Sequence, residues 1–140
     1  MPLRPMRYLL LSLVVLAGCS AFGGAEESSN LAVDPETVEA YTAMRAEKVA
    51  ALDAAIGDAS ATSASTCRVL PVGVKPCGGP HAFRAYSVSG EGAATVDALA
   101  AEIAELDRTA NERFGLASTC EVAVAPPVVF EGGTCQLGGQ

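Results

Sequence analysis

Two stretches of the chain carry apolar residues at the three- and four-residue spacing of an amphipathic helix. The first predicts a helix over residues 35–56, with Asp34 as its N-cap and Gly57 as its stop. The second predicts a helix over residues 94–114, followed by Gly115. We expect both stripes to face the core of a small domain: Val38, Tyr41, Val49, Leu52 and Ile56, then Val96, Leu99, Ile103, Leu106, Ala110 and Phe114.

Short runs typical of β-strands lie between and after these helices. Gly132 and Gly133 provide the positive φ angles of a tight turn, so residues 128–131 and 134–137 are predicted to pair as an antiparallel hairpin. The other predicted strands cover residues 67–72, 83–88 and 120–125. Because Ser65-Thr66-Cys67 and Ser118-Thr119-Cys120 are similar strings 53 residues apart, a repeated helix-strand-strand unit is a further hypothesis. The predicted fold class is α+β, with two helices packed on a small, mostly antiparallel sheet.

The N-terminus has the layout of a secretory signal. Arg4 and Arg7 precede an apolar block over residues 8–17, and Leu16-Ala17-Gly18-Cys19 follows. This string resembles the lipobox of bacterial lipoproteins. The resemblance implies cleavage after Gly18 and a diacylglycerol thioether plus an N-acyl chain on Cys19. We therefore expect a signal peptide (1–18), a lipidated flexible tether (19–32) and a disulfide-stapled domain (33–140).

The lipid anchor implied by this resemblance determines the expected location. An apolar block of ten residues is too short to span a bilayer, which takes about 20 residues, whereas two or three acyl chains on Cys19 would hold the protein at a membrane. By analogy with lipoprotein sorting, Ser20 after the lipidated cysteine points to the outer membrane of a two-membrane bacterium. The domain would face the periplasm or the exterior.

The charge of the chain argues against a nucleic-acid partner. Nine basic residues stand against 16 acidic ones, a formal charge of −7. Removing the signal with Arg4 and Arg7 leaves seven basic residues and a charge of about −9. Such a surface repels nucleic acid and anionic membranes and favours solubility or cationic partners.

The chain has five cysteines, an odd number, and lipidation of Cys19 would leave four for disulfide bonds. The four that remain, Cys67, Cys77, Cys120 and Cys135, form an even set, and in an oxidising compartment two disulfides are expected. Local pairing (67 with 77, 120 with 135) and nested pairing (67 with 135, 77 with 120) both stay open. A four-cysteine zinc site is disfavoured because the set has no close C-x2-C pairs, so no metal and no cofactor are expected.

The densest group of unusual residues is the 73–81 loop, Gly-Val-Lys-Pro-Cys-Gly-Gly-Pro-His. Prolines fix φ and glycines allow turns that other residues avoid, so the loop is predicted to be rigid. It is a candidate binding loop, and the residues that would carry binding are Lys75, Gly78, Gly79, Pro80 and His81. The simpler interpretation is a turn joining two strands under a disulfide.

The string from Lys75 to Pro80, with Ser118-Thr119-Cys120, Pro126-Pro127 and Cys135 further on, supports a second resemblance. It is similar to a group of small, secreted or lipid-anchored bacterial proteins of uncharacterised function that share a Cys-Gly-Gly-Pro loop. The likeness covers about half of the chain, from Cys67 to Cys135. It implies domain limits but no activity, so it assigns no catalytic residue.

No enzyme motif is present in the sequence. His81 is the single histidine, and there is no G-x-S-x-G, HExxH, P-loop or G-x-G-x-x-G string. Our first hypothesis is a non-enzymatic binding or inhibitory module whose partner is an envelope or extracellular protein. The alternative is a structural or accessory envelope lipoprotein that makes contact through its helices or acidic surface, and an enzyme is a distant third.

Overall fold

The computed structural model describes residues 34–139 and confirms the α+β class. Six main elements follow one another as helix, two strands, helix, two strands. In chain order they are α1 (Val38–Ile56), β1 (Cys67–Val72), β2 (Ala82–Ser87), α2 (Ala93–Phe114), β3 (Val128–Glu131) and β4 (Thr134–Leu137). The lipobox, Cys19 and the tether lie outside the described residues.

Both helices end where the sequence predicts, but α1 begins later than expected. Gly57 and Gly115 terminate the helices with φ of +58°, the left-handed region that glycine tolerates. The N-cap of α1 is Thr37, whose side chain accepts a hydrogen bond from the amide of Ala40 at 3.1 Å. The prediction of Asp34 as N-cap was wrong, because the Thr37 hydroxyl meets that need and the carboxylate instead accepts from Arg113.

The strands form two antiparallel hairpins, each a two-stranded sheet. In the first, Cys67 pairs with Ser87 and Val72 with Ala82. The second has the predicted bounds, with Gly132 and Gly133 at φ of +59° and +83° in its turn. A bridge between Ser60 and Thr134 ties the second hairpin to the chain that follows α1.

The predicted strand over residues 120–125 does not form. Residues 116–127 contain no helix, strand, turn or bend, and Val122 and Val124 are 88% and 81% exposed. Their alternation with alanine has the period of a strand, but none of the strands within residues 34–139 pairs with them. The helix-strand-strand order does occur twice, yet Cys120 is not the structural counterpart of Cys67.

The two helices pack on the first hairpin through one main cluster of buried side chains. Leu52 of α1 and Ile103 of α2 are fully buried. The other members are Leu70, Val72, Tyr86 and Val96. A second cluster lies nearer the start of α1 and the end of α2, formed by Tyr41, Leu106 and Ala110. Both predicted stripes therefore contribute to the core, although Val38 is 41% exposed.

The four cysteines form two nested disulfides. Cys67 bonds to Cys135 and Cys77 bonds to Cys120, with Cα–Cα distances of 5.4 and 5.3 Å. Of the two pairings that the sequence left open, the nested one is therefore correct. Within residues 34–139, no helix has the length and apolar content needed to cross a membrane.

Candidate functional site

The 73–81 loop joins β1 to β2 and closes on itself through its backbone. The amide of Lys75 donates to the carbonyl of Gly79, and the amide of Gly78 donates to the carbonyl of Lys75, both at 2.8 Å. Gly78 and Gly79 have φ of +89° and +75°, which a residue with a side chain rarely adopts. Cys77, Gly78 and Gly79 are exposed, so they form the tip of the loop.

Two links join this loop to the neighbouring chain over residues 116–127. One is the Cys77–Cys120 disulfide. The other is a 2.7 Å hydrogen bond from the Lys75 ammonium Nζ to the carbonyl of Glu121. The Lys75 side chain thus has an intramolecular partner next to the disulfide.

A buried carboxylate lies beneath the base of the loop. Asp107 of α2 is fully buried and accepts four hydrogen bonds from three residues. The Tyr41 hydroxyl donates at 2.9 Å, Arg45 donates through Nε at 2.8 Å and through Nη2 at 3.4 Å, and the backbone amide of Val74 donates at 2.8 Å. We call Tyr41, Arg45 and Asp107 the Asp107 cluster. Because a buried charge needs such partners, the cluster fixes the start of the loop to both helices.

Gly73 is required where the loop passes over this cluster. Its φ is +74°, and a Cβ built there would lie 2.7 Å from Arg45 Nη2 and 3.0 Å from His81 Cδ2. Any side chain at this position would push the cluster apart. On the other side of Val74, the Asn111 amide donates to the Val74 carbonyl at 2.9 Å.

The cluster also sets the protonation of two side chains. Burial lowers the pKa of His81, nearby Arg45 lowers it further, and Asp107 only partly opposes this. His81 Nε2 is 3.6 Å from Asp107 Oδ2, yet the pKa of His81 lies below its ordinary value of 6.5. Burial, with the hydrogen bond to Asp107, raises the pKa of Tyr41 to about 12.

The predicted loop residues differ in their surroundings. The Lys75 ammonium bonds to the Glu121 carbonyl within the molecule, whereas His81 is exposed and its Nε2 lies 3.6 Å from Asp107 Oδ2, too far for a hydrogen bond. Gly78 and Gly79 are exposed at the tip, with Pro80 half-buried behind them.

Sequence reasoning missed the Asp107 cluster. A signal was present, because Asp107 lies four residues after Ile103 and three before Ala110, which places a carboxylate inside the apolar stripe of α2. Tyr41 and Arg45 are four residues apart on α1 and so share a face. No spacing rule, however, indicated which part of the chain would supply the Val74 amide.

A second concave region lies where the end of α1, the end of β2 and the start of α2 meet. It is a shallow cleft of about 170 Å³ whose polar lining includes Asp58, Ser60, Ser87 and Glu91. Hydrogen bonds from Ser60 lower the pKa of Asp58. In the part of the chain that the structure describes, no group of three or more His, Cys, Asp or Glu side chains is arranged to hold a metal ion.

The chain matches no protein-family model, and no curated protein or solved structure matches it significantly. The two resemblances drawn from the sequence therefore stay predictions.

Proposed function

We propose that this chain is a membrane-anchored extracytoplasmic lipoprotein that acts, without catalysis, by binding another protein through the tip of the 73–81 loop. The anchor is Cys19 and the expected location is the outer membrane, both proposed from the lipobox and Ser20. The partner is an envelope or extracellular protein.

One observation carries the proposal, namely that a loop with an exposed tip is held at three points. Asp107 holds the Val74 amide, Lys75 holds the Glu121 carbonyl, and the disulfide holds Cys77. A loop that is already ordered loses little conformational entropy when it docks, so its contacts contribute more fully to affinity. A loop that only connected two strands would not need to be held at three points, so we favour the binding loop over the simple turn.

The same geometry assigns different roles to the loop residues. Lys75 positions the loop, because its ammonium already has a partner inside the molecule. His81 is exposed at the end of the loop, beside Asp107. Gly78, Gly79 and Pro80 make the contact, chiefly through close approach, because the Gly78 amide and the Gly79 carbonyl already bond within the loop. Disulfide-bonded cysteines are not nucleophiles, and the Asp107 carboxylate is fully buried, which further supports binding over catalysis.

The contact is tested by crosslinking the tagged, full-length protein in its native envelope and identifying adducts by mass spectrometry. Gly79→Asn adds a side chain at the tip with the residue that best tolerates positive φ. Gly132→Asn makes the same change in the β3–β4 turn, where open space surrounds the Cβ position. We expect the wild-type adduct to persist in Gly132→Asn and to disappear in Gly79→Asn at an unchanged melting temperature.

An adduct that persists in a folded Gly79→Asn variant would remove the tip from the proposal. Crosslinks from α1 or α2 alone would favour the accessory-lipoprotein alternative instead. If Gly79→Asn does not fold, Gly78→Asn repeats the test at the neighbouring exposed position. The anchor is tested separately by mass analysis of the mature N-terminus, which should begin at Cys19 and carry its acyl chains. An unmodified Cys19, or cleavage elsewhere, would overturn this part of the proposal.

A further inference from the structure

The 121–125 segment, Glu-Val-Ala-Val-Ala, is the most exposed apolar stretch of the described chain. Val122 and Val124 are 88% and 81% exposed, against 41% and 42% for Val38 and Val88, the other exposed large apolar residues. Residues two positions apart share a face of a β-strand, so Val122 and Val124 would lie on one face when the segment pairs as a strand. Both valines form a small apolar surface that nothing in the described domain covers.

The backbone of this segment is also unpaired. Among residues 34–139, no amide of the 121–125 segment donates a hydrogen bond, and the Glu121 carbonyl, bonded by Lys75, is its single acceptor in use. Unpaired amides and carbonyls beside β-branched side chains are a template for pairing with another chain. The features that made the sequence predict a strand here are thus present without a partner strand.

Both ends of the segment are restrained. The disulfide holds Cys120 at one end. At the other end, Pro126 and Pro127 restrict the backbone to extended conformations and provide no amide for a ladder. The disulfide and the two prolines therefore limit any pairing strand to about five residues.

We propose that the 121–125 segment pairs antiparallel with the same segment of a second copy of this chain, around a twofold axis at Ala123. The sequence is self-complementary in this register. Val122 faces Val124 of the second copy, Ala123 faces Ala123, and Glu121 faces Ala125 rather than another carboxylate. A twofold interface requires that one surface match itself in this way.

The hydrogen bonds of the ladder also fit this register. With Ala123 as the non-hydrogen-bonded pair, Val122 and Val124 each exchange two backbone bonds across the axis, four in all. The Glu121 carbonyl then keeps its bond to Lys75, and Pro126 lies where the ladder ends. The two Glu121 side chains are about 14 Å apart at a rise of about 3.4 Å per residue, beyond the screening length of about 8 Å in physiological salt.

The dimer is weak, because a two-stranded ribbon of this length is marginal in water and each chain carries a formal charge of −7. We therefore expect dimerisation to increase with ionic strength as repulsion is screened. The interface does not depend on the proposed binding function of the loop tip.

The test is a disulfide trap in the full-length protein. Ala123→Cys places two thiols on facing residues whose Cα atoms are about 4.5 Å apart, within the range that a disulfide spans. Ala125→Cys is the matched control, since its two copies lie about 14 Å apart in this register. On mild oxidation we expect a reductant-sensitive dimer from Ala123→Cys, at least tenfold more than from Ala125→Cys.

A second comparison tests the valine face. Val124→Arg added to Ala123→Cys should lower the yield of dimer severalfold, whereas Val88→Arg, at an exposed valine elsewhere, should not. Equal trapping at positions 123 and 125, no trapped dimer, or a disulfide from position 123 to a different protein would each overturn the proposal. Because Gly79→Asn leaves this interface intact, its result and the trap result are read independently.

Discussion

The two disulfides occupy opposite environments. Cys67 and Cys135 are each 4% exposed and pack with Ala59 in a buried cluster between the two hairpins. Cys77 and Cys120 are exposed and join the 73–81 loop to residues 116–127. One bond thus lies inside the packing of the domain, whereas the other joins two surface segments.

Loop length alone does not separate the two bonds. Their sequence separations are 68 and 43 residues, for which the chain-entropy model gives about 4 kcal/mol each. A measured difference between their contributions to the free energy of unfolding would therefore come from their environments in the folded protein. From these environments we expect Cys67–Cys135 to stabilise the core and Cys77–Cys120 chiefly to order surface segments.

The largest expected effect comes from removing the buried bond. Replacing Cys67 and Cys135 together by alanine should lower the free energy of unfolding by about 5 kcal/mol, because lost packing adds to lost loop closure. The same double change at Cys77 and Cys120 should cost about 2 kcal/mol, since residues 116–127 gain freedom in the folded state that offsets part of the loss. Denaturant unfolding of both variants gives the two values, and equal losses would contradict the comparison.

The next largest effect concerns Asp107, which holds the start of the 73–81 loop through the Val74 amide. Asp107→Ala should lower the free energy of unfolding by about 3 kcal/mol, because it leaves the Tyr41 hydroxyl and the Val74 amide without their acceptor. The loss stays at the low end for a buried pair because the Arg45 side chain is 23% exposed and reaches water.

Glu102→Ala is the matched control on the same helix. Glu102 pairs with Lys48 at 2.7 Å, but the carboxylate side chain is 41% exposed. We expect a change of about 0–1 kcal/mol, as is usual for surface ion pairs. If the two variants lost equal stability by denaturant unfolding, the Asp107 cluster would not be the brace of the loop.

The smallest expected effect is a pH dependence from His81. Its pKa is lower in the folded chain, mainly through burial, so the unfolded chain binds a proton first as the pH falls. Stability is therefore complete above about pH 6.5 and decreases as the pH falls through the folded pKa.

His81→Gln should remove this slope, measured as melting temperature between about pH 7 and pH 5.5. His81 is the single histidine of the chain, so the difference between the two curves belongs to it. Stability that rose on acidification would show instead that attraction to Asp107 outweighs burial and Arg45.

The elements that the sequence predicted correctly are those whose cause is local. Gly57, Gly115 and the Gly132-Gly133 pair end or turn the chain by their own φ preferences, and the two stripes follow helical spacing. The predicted N-cap of α1 was wrong because the helix begins three residues later than predicted, where the Thr37 hydroxyl accepts the capping bond.

The features that the sequence did not provide depend on distant partners. Residues 120–125 have the alternation of a strand, but a strand also needs a neighbour, which local pattern does not supply. Asp107 meets Val74 across 33 residues and Tyr41 across 66, so the brace beneath the loop becomes visible only in the folded chain. Nested pairing of the cysteines likewise depends on how the hairpins meet.

The nested disulfides also constrain the order in which the cysteines can be oxidised. Of the four bonded cysteines Cys67 is synthesised first, yet its partner Cys135 is synthesised last, after Cys77 and Cys120. An oxidant that acts on these cysteines in order of their synthesis would join Cys67 to Cys77 and produce a wrong bond. Correct maturation therefore requires either that oxidation wait until the C-terminal hairpin has been delivered or that an isomerase reshuffle the early bond.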